Sequence, residues 1–215
     1  MPDRRPLASR DTKIAAKIAA SLATAGVAPN LISQTSILFA ALAGLLLWAV
    51  AWIDGGAQSL CLLGAALGCQ LRLLCNLLDG MVAVEGGLGT PQGAFWNEMP
   101  DRLADVLILV GLGLAVGEPA LGWAASAGAV ATAYTRALGS ELGLPADFRG
   151  PMAKPHRMAA VTAGAVLAAV TPTVLGVPVL LSVLWIVALG SVVTVLRRSH
   201  RLLGALKARS DARDG

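Results

Sequence analysis

The sequence predicts an all-α membrane protein, with six transmembrane helices preceded by a short amphipathic interfacial helix. Three observations predict it. The 215-residue chain is 56% hydrophobic and 14% charged, whereas an average soluble domain carries roughly 25% charged residues. Long stretches, 31–53, 119–135 and 158–196, contain no charged residue. The first two each suit one crossing of about 20 residues, and the third is long enough for two. The remaining charges gather at the two ends of the chain, in one loop and on two neighbouring helices. Residues 1–215 read as one membrane domain, with no internal repeat of the kind that marks inverted-repeat transporters.

The elements follow in order. Residues 11–25 open with DTKIAAKIAASLAT, in which apolar residues recur at helical spacing while Lys13 and Lys17 share another face. This pattern suits a helix lying on the membrane surface. Pro29-Asn30 breaks it, and Asn30 is a candidate cap for the next helix. Spans are expected at about 31–53, 58–83, 92–116, 120–141, 158–174 and 178–197. Asp54-Gly55-Gly56 and Gly117-Glu118-Pro119 read as turns. Residues 84–91 form a short loop, and residues 143–157 form a polar, proline-containing one.

Charge bias sets the orientation. Of 17 Lys and Arg residues, five precede the first span, three lie in 143–157 and six lie at or beyond the end of the last span. The turns at 54–57, 117–119 and 171–178 have none. Six spans then place both termini and the 143–157 loop in the cytoplasm of a multi-pass protein, in a membrane of the bacterial inner type. The net charge of +4 fits contact with anionic lipid headgroups rather than nucleic acid. Cys61, Cys69 and Cys75 share one apolar stretch without CxxC spacing, and read as small buried thiols.

Ionisable groups inside a bilayer are costly and mark function or specific pairing. Here they cluster on two adjacent spans. Asn76, Asp79 and Ala83 share one helical face, with Arg72 a turn earlier. In the next span Gly93, Asn97, Asp101 and Asp105 recur every four residues. Gly80 and Gly93 permit close approach of backbone or ligand. The short 84–91 loop makes these spans antiparallel neighbours, so the polar faces meet near the cytoplasmic end. Carboxylates and amide oxygens are hard ligands suited to Mg²⁺ or Mn²⁺. Arg72 also reads as a structural partner for a carboxylate, and Asp105 equally as second-layer support or packing. Intramembrane carboxylates suit a transporter or proton relay too, but that reading leaves the glycine spacings unexplained.

The stretch Asn76-Leu-Leu-Asp79-Gly80-Met-Val-Ala83-Val84, then eight residues, then Gly93-Ala-Phe-Trp-Asn97-Glu98-Met-Pro-Asp101 resembles the signature of the CDP-alcohol phosphatidyltransferases. That signature is DxxDGxxAR, a short spacer and GxxxDxxxD. Pro29-Asn30 and the segment from Arg149 to Arg157 also look like family features. The departures are Asn76 and Asn97 at the first and third aspartate positions, and Val84 in place of arginine. The matched positions therefore carry two formal negative charges where the family pattern carries four, and Glu98 and Asp105 stand close enough to compensate.

The resemblance implies six spans, a cytoplasm-facing site, a homodimer and a metal-dependent transferase of phospholipid synthesis. The expected donor is CDP-diacylglycerol, the acceptor a polar alcohol and the leaving product CMP. The implied metal ligands are Asp79, Asp101, Asn76 and Asn97, with Asp101 also the general base. Gly80, Ala83, Gly93, Arg149, Lys154 and Arg157 are implied substrate contacts, supported by Glu98, Asp105 and Arg72. Two further readings stay open: a relative that kept the fold and lost the chemistry, and a soluble CDP-alcohol donating to diacylglycerol.

Overall fold

The computed structural model describes residues 13–214, apart from the side chains of Glu85, Arg213 and Asp214. The basic cluster at Arg4, Arg5 and Arg10, and the first two residues of the expected amphipathic helix, lie outside the described residues. The fold is all-α. Helix α1 spans Lys13–Thr24, α2 Pro29–Ala49, α3 Gly55–Glu85, α4 Gly93–Ala115, α5 Pro119–Glu141, α6 Lys154–Val170 and α7 Val179–Asp214. Between α6 and α7, β1 (Thr173–Val174) and β2 (Val177–Pro178) pair antiparallel as a small hairpin.

Three helices, Pro29–Ala49, Gly55–Val84 and Val179–Ala212, are long and apolar enough to cross a membrane. Their outward faces carry Leu38, Leu45, Leu60, Leu67, Ile186 and Leu189 exposed, as a lipid-facing surface requires. The side chains turned inward are smaller: Ala40, Ala43, Ala65, Ala66, Ala125, Ala129 and Ala165 join Leu47, Ile108 and Leu184 in the main core. Small residues bring backbones close where lipid supplies no hydrophobic drive between helices. The α2–α4 crossing shows the consequence. A Cβ at Gly111 would sit 2.7 Å from the Gly44 Cα, so neither position accepts a side chain without separating the helices.

Helix packing closes a ring in the order α2, α3, α6, α7, α5, α4 and back to α2, with α1 set against α3. The α3 and α4 helices, consecutive and joined by a short loop, approach each other less closely than α2 approaches either, but their polar faces meet as expected: Arg72 and Asn76 on α3 reach Asp101 and Asp105 on α4.

Other boundaries differ from the sequence reading. The α2 helix ends at Ala49, ahead of the expected 53, in a turn where Val50, Ala51 and Trp52 donate to the carbonyls of residues 47–49. It begins on Pro29, whose fixed φ suits the first helical turn. The cap position therefore falls on Ala28, with no side-chain cap bond, and Asn30 instead donates to Thr90 Oγ1 at 3.2 Å. The α6 helix starts at Lys154, inside the expected loop. The α7 helix runs to Asp214, where a basic tail after 197 was expected. At 1.5 Å per residue its 36 residues span about 54 Å, well beyond a hydrocarbon core of about 30 Å.

Candidate functional site

Three side chains from three helices define the site. Asp79 comes from α3, Asp101 from α4 and Lys154 from the first turn of α6. The Lys154 ammonium donates to Asp101 Oδ2. Asn76, one turn before Asp79, donates its Nδ2 to Asp101 Oδ1 at 2.5 Å. The Arg72 Nη2 lies 3.3 Å from the same oxygen, and Arg102 approaches Oδ2 at 3.7 Å. Asp101 is thus 6% exposed yet faces three cationic side chains and an amide, the pairing a buried carboxylate needs to offset its lost hydration.

Asp79 is 4% exposed and held differently. Ser33 on α2 donates to its Oδ2 at 2.6 Å. Its Oδ1 is buried with no side-chain donor, and the Gly80 backbone N–H also bonds the carboxylate. Asp101 and Lys154 are both within electrostatic reach of it. A buried acceptor without a donor costs about 1–3 kcal/mol, and more when charged. A divalent cation satisfies such an oxygen. Among the described residues no three His, Cys, Asp or Glu side chains converge. The oxygens available to a cation here are those of two carboxylates and the amide of Asn76, a hard donor set of the kind that suits Mg²⁺ or Mn²⁺.

Behind Asp101 lies a buried layer. Asp105 is 0% exposed and receives Arg72 Nη2 on Oδ1 at 3.3 Å and Arg157 Nη2 on Oδ2 at 2.6 Å. Arg157 also donates to Thr132 Oγ1 at 3.0 Å and to the Met152 carbonyl at 2.7 Å. The segment before α6 is strapped down on both sides. Met152 N–H donates to Thr194 Oγ1 at 2.9 Å, and Arg198 Nε to the Arg149 carbonyl at 2.9 Å. Gly150 packs on Thr194 in this segment at φ +136°, where a Cβ would lie 3.1 Å from the Thr194 Cβ. This anchoring fixes where Lys154 enters the site.

Next to this segment is a cavity of about 170 Å³ lined by Arg136, Arg149, Arg198, Arg201, Asp147 and Thr135, among others. Asp147 accepts from Arg149 Nε at 3.0 Å and from Arg201 Nη1 at 3.3 Å. Partial burial pushes the Asp147 carboxyl up, but the hydrogen bonds from Arg149 and Arg201 outweigh it and hold it below its ordinary range. Two carboxylates, Asp147 and the Glu98 that pairs with Arg136, face four guanidinium groups, which leaves the cavity cationic, a setting suited to phosphate.

The expected site residues divide accordingly. Asp79, Asp101, Asn76, Arg72, Asp105, Lys154 and Arg157 converge, although Arg157 lies inside the bundle, 1% exposed, rather than at its mouth. Gly80, Ala83 and Gly93 are half-buried. Arg149 is exposed and joins the cavity instead of the carboxylates. Asn97 is exposed, a turn before Pro100, which interrupts the α4 hydrogen-bond ladder. Steps of four residues also drift about 40° each around a helix, which carries Asn97 off the Asp101–Asp105 face. Glu98 pairs with Arg136 across to α5. Sequence reasoning missed Ser33, Thr132 and Arg198 as members of the site. Ser33 and Thr132 sit in uncharged spans with no motif, and Arg198 counted only as a charge after the last span.

No family model matches the chain. It is 30% identical over 209 residues to a phosphatidylinositol phosphate synthase of Mycobacteroides abscessus, covering 90% of this chain and 86% of that protein. It is 31% identical over 153 residues to an archaetidylinositol phosphate synthase of Aeropyrum pernix, covering 71% and 74%. Among solved structures it resembles the Mycobacterium tuberculosis phosphatidylinositol phosphate synthase with CDP-DAG bound. That match has a TM-score of 0.72 at 24% identity, over 89% of this chain and 94% of that one. The same enzyme in complex with manganese and citrate gives 0.71 at 24%, over 88% of each chain. At this identity the structural likeness is one of fold.

Proposed function

Because the chain belongs to the CDP-alcohol phosphatidyltransferase family, we propose that it moves the phosphatidyl group of CDP-diacylglycerol onto a phosphorylated polar alcohol, with release of CMP. It is an integral-membrane transferase of phospholipid synthesis that uses Mg²⁺ or Mn²⁺. The observation that carries the reading is the meeting of Asp79, Asp101 and Lys154 from three helices, the two carboxylates at matched motif positions, with a buried Asp79 oxygen that no side chain donates to.

Asp79, Asp101 and the amide oxygen of Asn76 would hold the cation, which supplies positive charge against the donor's pyrophosphate when bound. Lys154 and Arg72 add fixed positive charge beside Asp101, where negative charge develops on phosphorus and leaving oxygen. Gly80, Ala83 and Gly93 leave room for the nucleotide at the helix surfaces. The acceptor hydroxyl oxygen attacks the phosphorus that bears the diacylglycerol. Its proton passes to Asp101 Oδ2. The bond from that phosphorus to the CMP oxygen breaks, and CMP leaves with the electron pair. Arg102 and Lys154, already against Asp101 Oδ2, keep that carboxylate aimed until the hydroxyl arrives.

The acceptor we assign is inositol phosphate. Two features support it: the relatives are named as phosphatidylinositol phosphate and archaetidylinositol phosphate synthases, and the cavity beside the Lys154 segment is lined by four arginines. Residues 1–215 act as one domain in this reading, with α2 to α7 as six spans and α1 on the surface. Both termini and the site face the cytoplasm, in line with the absence of Lys and Arg from the 54–57, 117–119 and 171–178 turns, and the working unit is a homodimer. The test is CMP release by purified protein in detergent, given CDP-diacylglycerol, inositol phosphate and Mn²⁺, with the lipid product identified by mass spectrometry. Metal-dependent phosphatidylinositol phosphate formation is expected. No CMP release with any of a panel of alcohols would leave a relative that kept the fold without the chemistry.

A further inference from the structure

An unbroken line of hydrogen bonds joins the arginine-lined cavity to Asp101. It begins at Arg198, 6% exposed, whose Nη1 donates to the Thr132 carbonyl. Thr132 Oγ1 accepts from Arg157, Arg157 donates to Asp105, and Asp105 accepts from Arg72. The same Arg72 nitrogen donates to the Asp101 carbonyl at 3.2 Å. Arg72, Asp105 and Arg157 are 0%, 0% and 1% exposed.

From this geometry we infer that Asp105 is a positioning residue for the transfer reaction. One oxygen sets Arg72 against Asp101, and the other sets Arg157 against the segment that carries Lys154, which fixes the cavity and the base at one separation. The inference rests on the reading of Asp101 as base.

Three features favour this over a purely structural ion pair. A buried carboxylate between two arginines is a poor stability device, because apolar side chains of the same volume often serve as well or better. The rest of the bundle is built from Ala, Gly and Leu, and needs no such device to pack. The arginines come from α3 and α6, while Asp105 sits on α4 one turn below Asp101. The bond pattern therefore fixes a relative placement of three helices at the reacting end. A guanidinium is planar and donates in a fixed fork, so its hold is directional. Placement matters because a displacement of about 1 Å at the reacting groups costs about 10²-fold in rate.

The test uses the full-length protein in detergent. Asp105→Asn keeps the shape and removes the charge that both arginines face. Asp105→Glu keeps the charge and shifts it outward. For each variant, thermal stability, CDP-diacylglycerol binding stoichiometry, kcat per donor-binding site and both KM values are measured. The expected result is kcat per binding site lower by about 10²-fold in Asp105→Asn, a KM for CDP-diacylglycerol within about threefold of the wild type, and no rescue by Asp105→Glu. Thr132→Val removes the hydroxyl that receives Arg157 without changing charge, and is read where Asp105→Asn does not fold; a fall of about tenfold per site is expected. Fewer binding sites with an unchanged kcat per site would mark Asp105 as structural and overturn the inference, as would an unchanged rate for a folded variant. Wild-type protein that binds CDP-diacylglycerol but releases no CMP would overturn the reading of Asp101 and this inference together.

Discussion

Asn76 donates its side-chain amide to Asp101 Oδ1 at 2.5 Å. The neutral residue at the first position of the motif is thereby a partner of the last, where an aspartate would be a like charge. Asn76→Asp would put two carboxylates in contact unless a cation lies between them. The expected outcome is a lower melting temperature without metal and Mn²⁺ binding tighter by about tenfold, since an added full charge in a partly dry site outweighs one lost amide bond. Calorimetric Mn²⁺ titration of the two proteins checks it; equal affinities would mean that position 76 does not face the cation.

Asp101→Asn keeps the shape of the side chain and removes its ability to take a proton. A general base contributes about 10²–10⁴-fold, so CMP release should fall by that range while the protein stays monodisperse. Because Asp101 is also assigned to the cation, Mn²⁺ affinity should fall as well, so the rate is compared at saturating Mn²⁺ and donor. Near-normal turnover would assign the proton to another group.

Ser33→Ala removes the side-chain donor to Asp79 Oδ2 and leaves a buried carboxylate with the Gly80 backbone N–H as its neighbouring donor. The expected loss is about 1–3 kcal/mol in metal-free protein, read as a lower melting temperature. Saturating Mn²⁺ should restore part of it. A loss of the same size with and without metal would separate Ser33 from the cation site.

The Asp147 carboxyl titrates below its unfolded value, so its hold on Arg149 and Arg201 is complete at neutral pH. It is lost as pH falls through the lowered folded value. The 143–153 loop should therefore become more open to hydrogen exchange below the ordinary carboxylate range. Asp147→Asn should show the open behaviour at every pH; a wild-type loop whose exchange protection ignores pH in this range would refute the assignment.

Much of this fold was legible because a membrane enforces long uncharged runs, and 31–53 and 158–196 announced themselves. The carboxylate cluster was legible for the same reason: Asp79, Asp101 and Asp105 are too costly in a bilayer to be incidental. Legibility failed where the partner came from elsewhere in the chain. Ser33 and Thr132 have hydroxyls that any span can carry, and only folding shows what they touch. Arg198 looked like one more charge beyond the last span because nothing in the sequence said that α7 continues as helix to Asp214. Asn97 fits the motif spacing, yet Pro100 and the drift of a four-residue repeat turn it outward. The close packing of α2 against both α3 and α4 was hidden too, since loop length says which helices are near in sequence and not which third helix packs on both.

The account turns on Asp79 and Asp101 together holding a divalent cation, and Mn²⁺ binding followed by electron paramagnetic resonance tests that most directly. Wild-type protein should bind Mn²⁺ saturably, and Asp79→Asn should bind it at least about tenfold more weakly, as loss of a charged ligand at a buried site requires. Identical Mn²⁺ titrations for the two proteins would contradict the account.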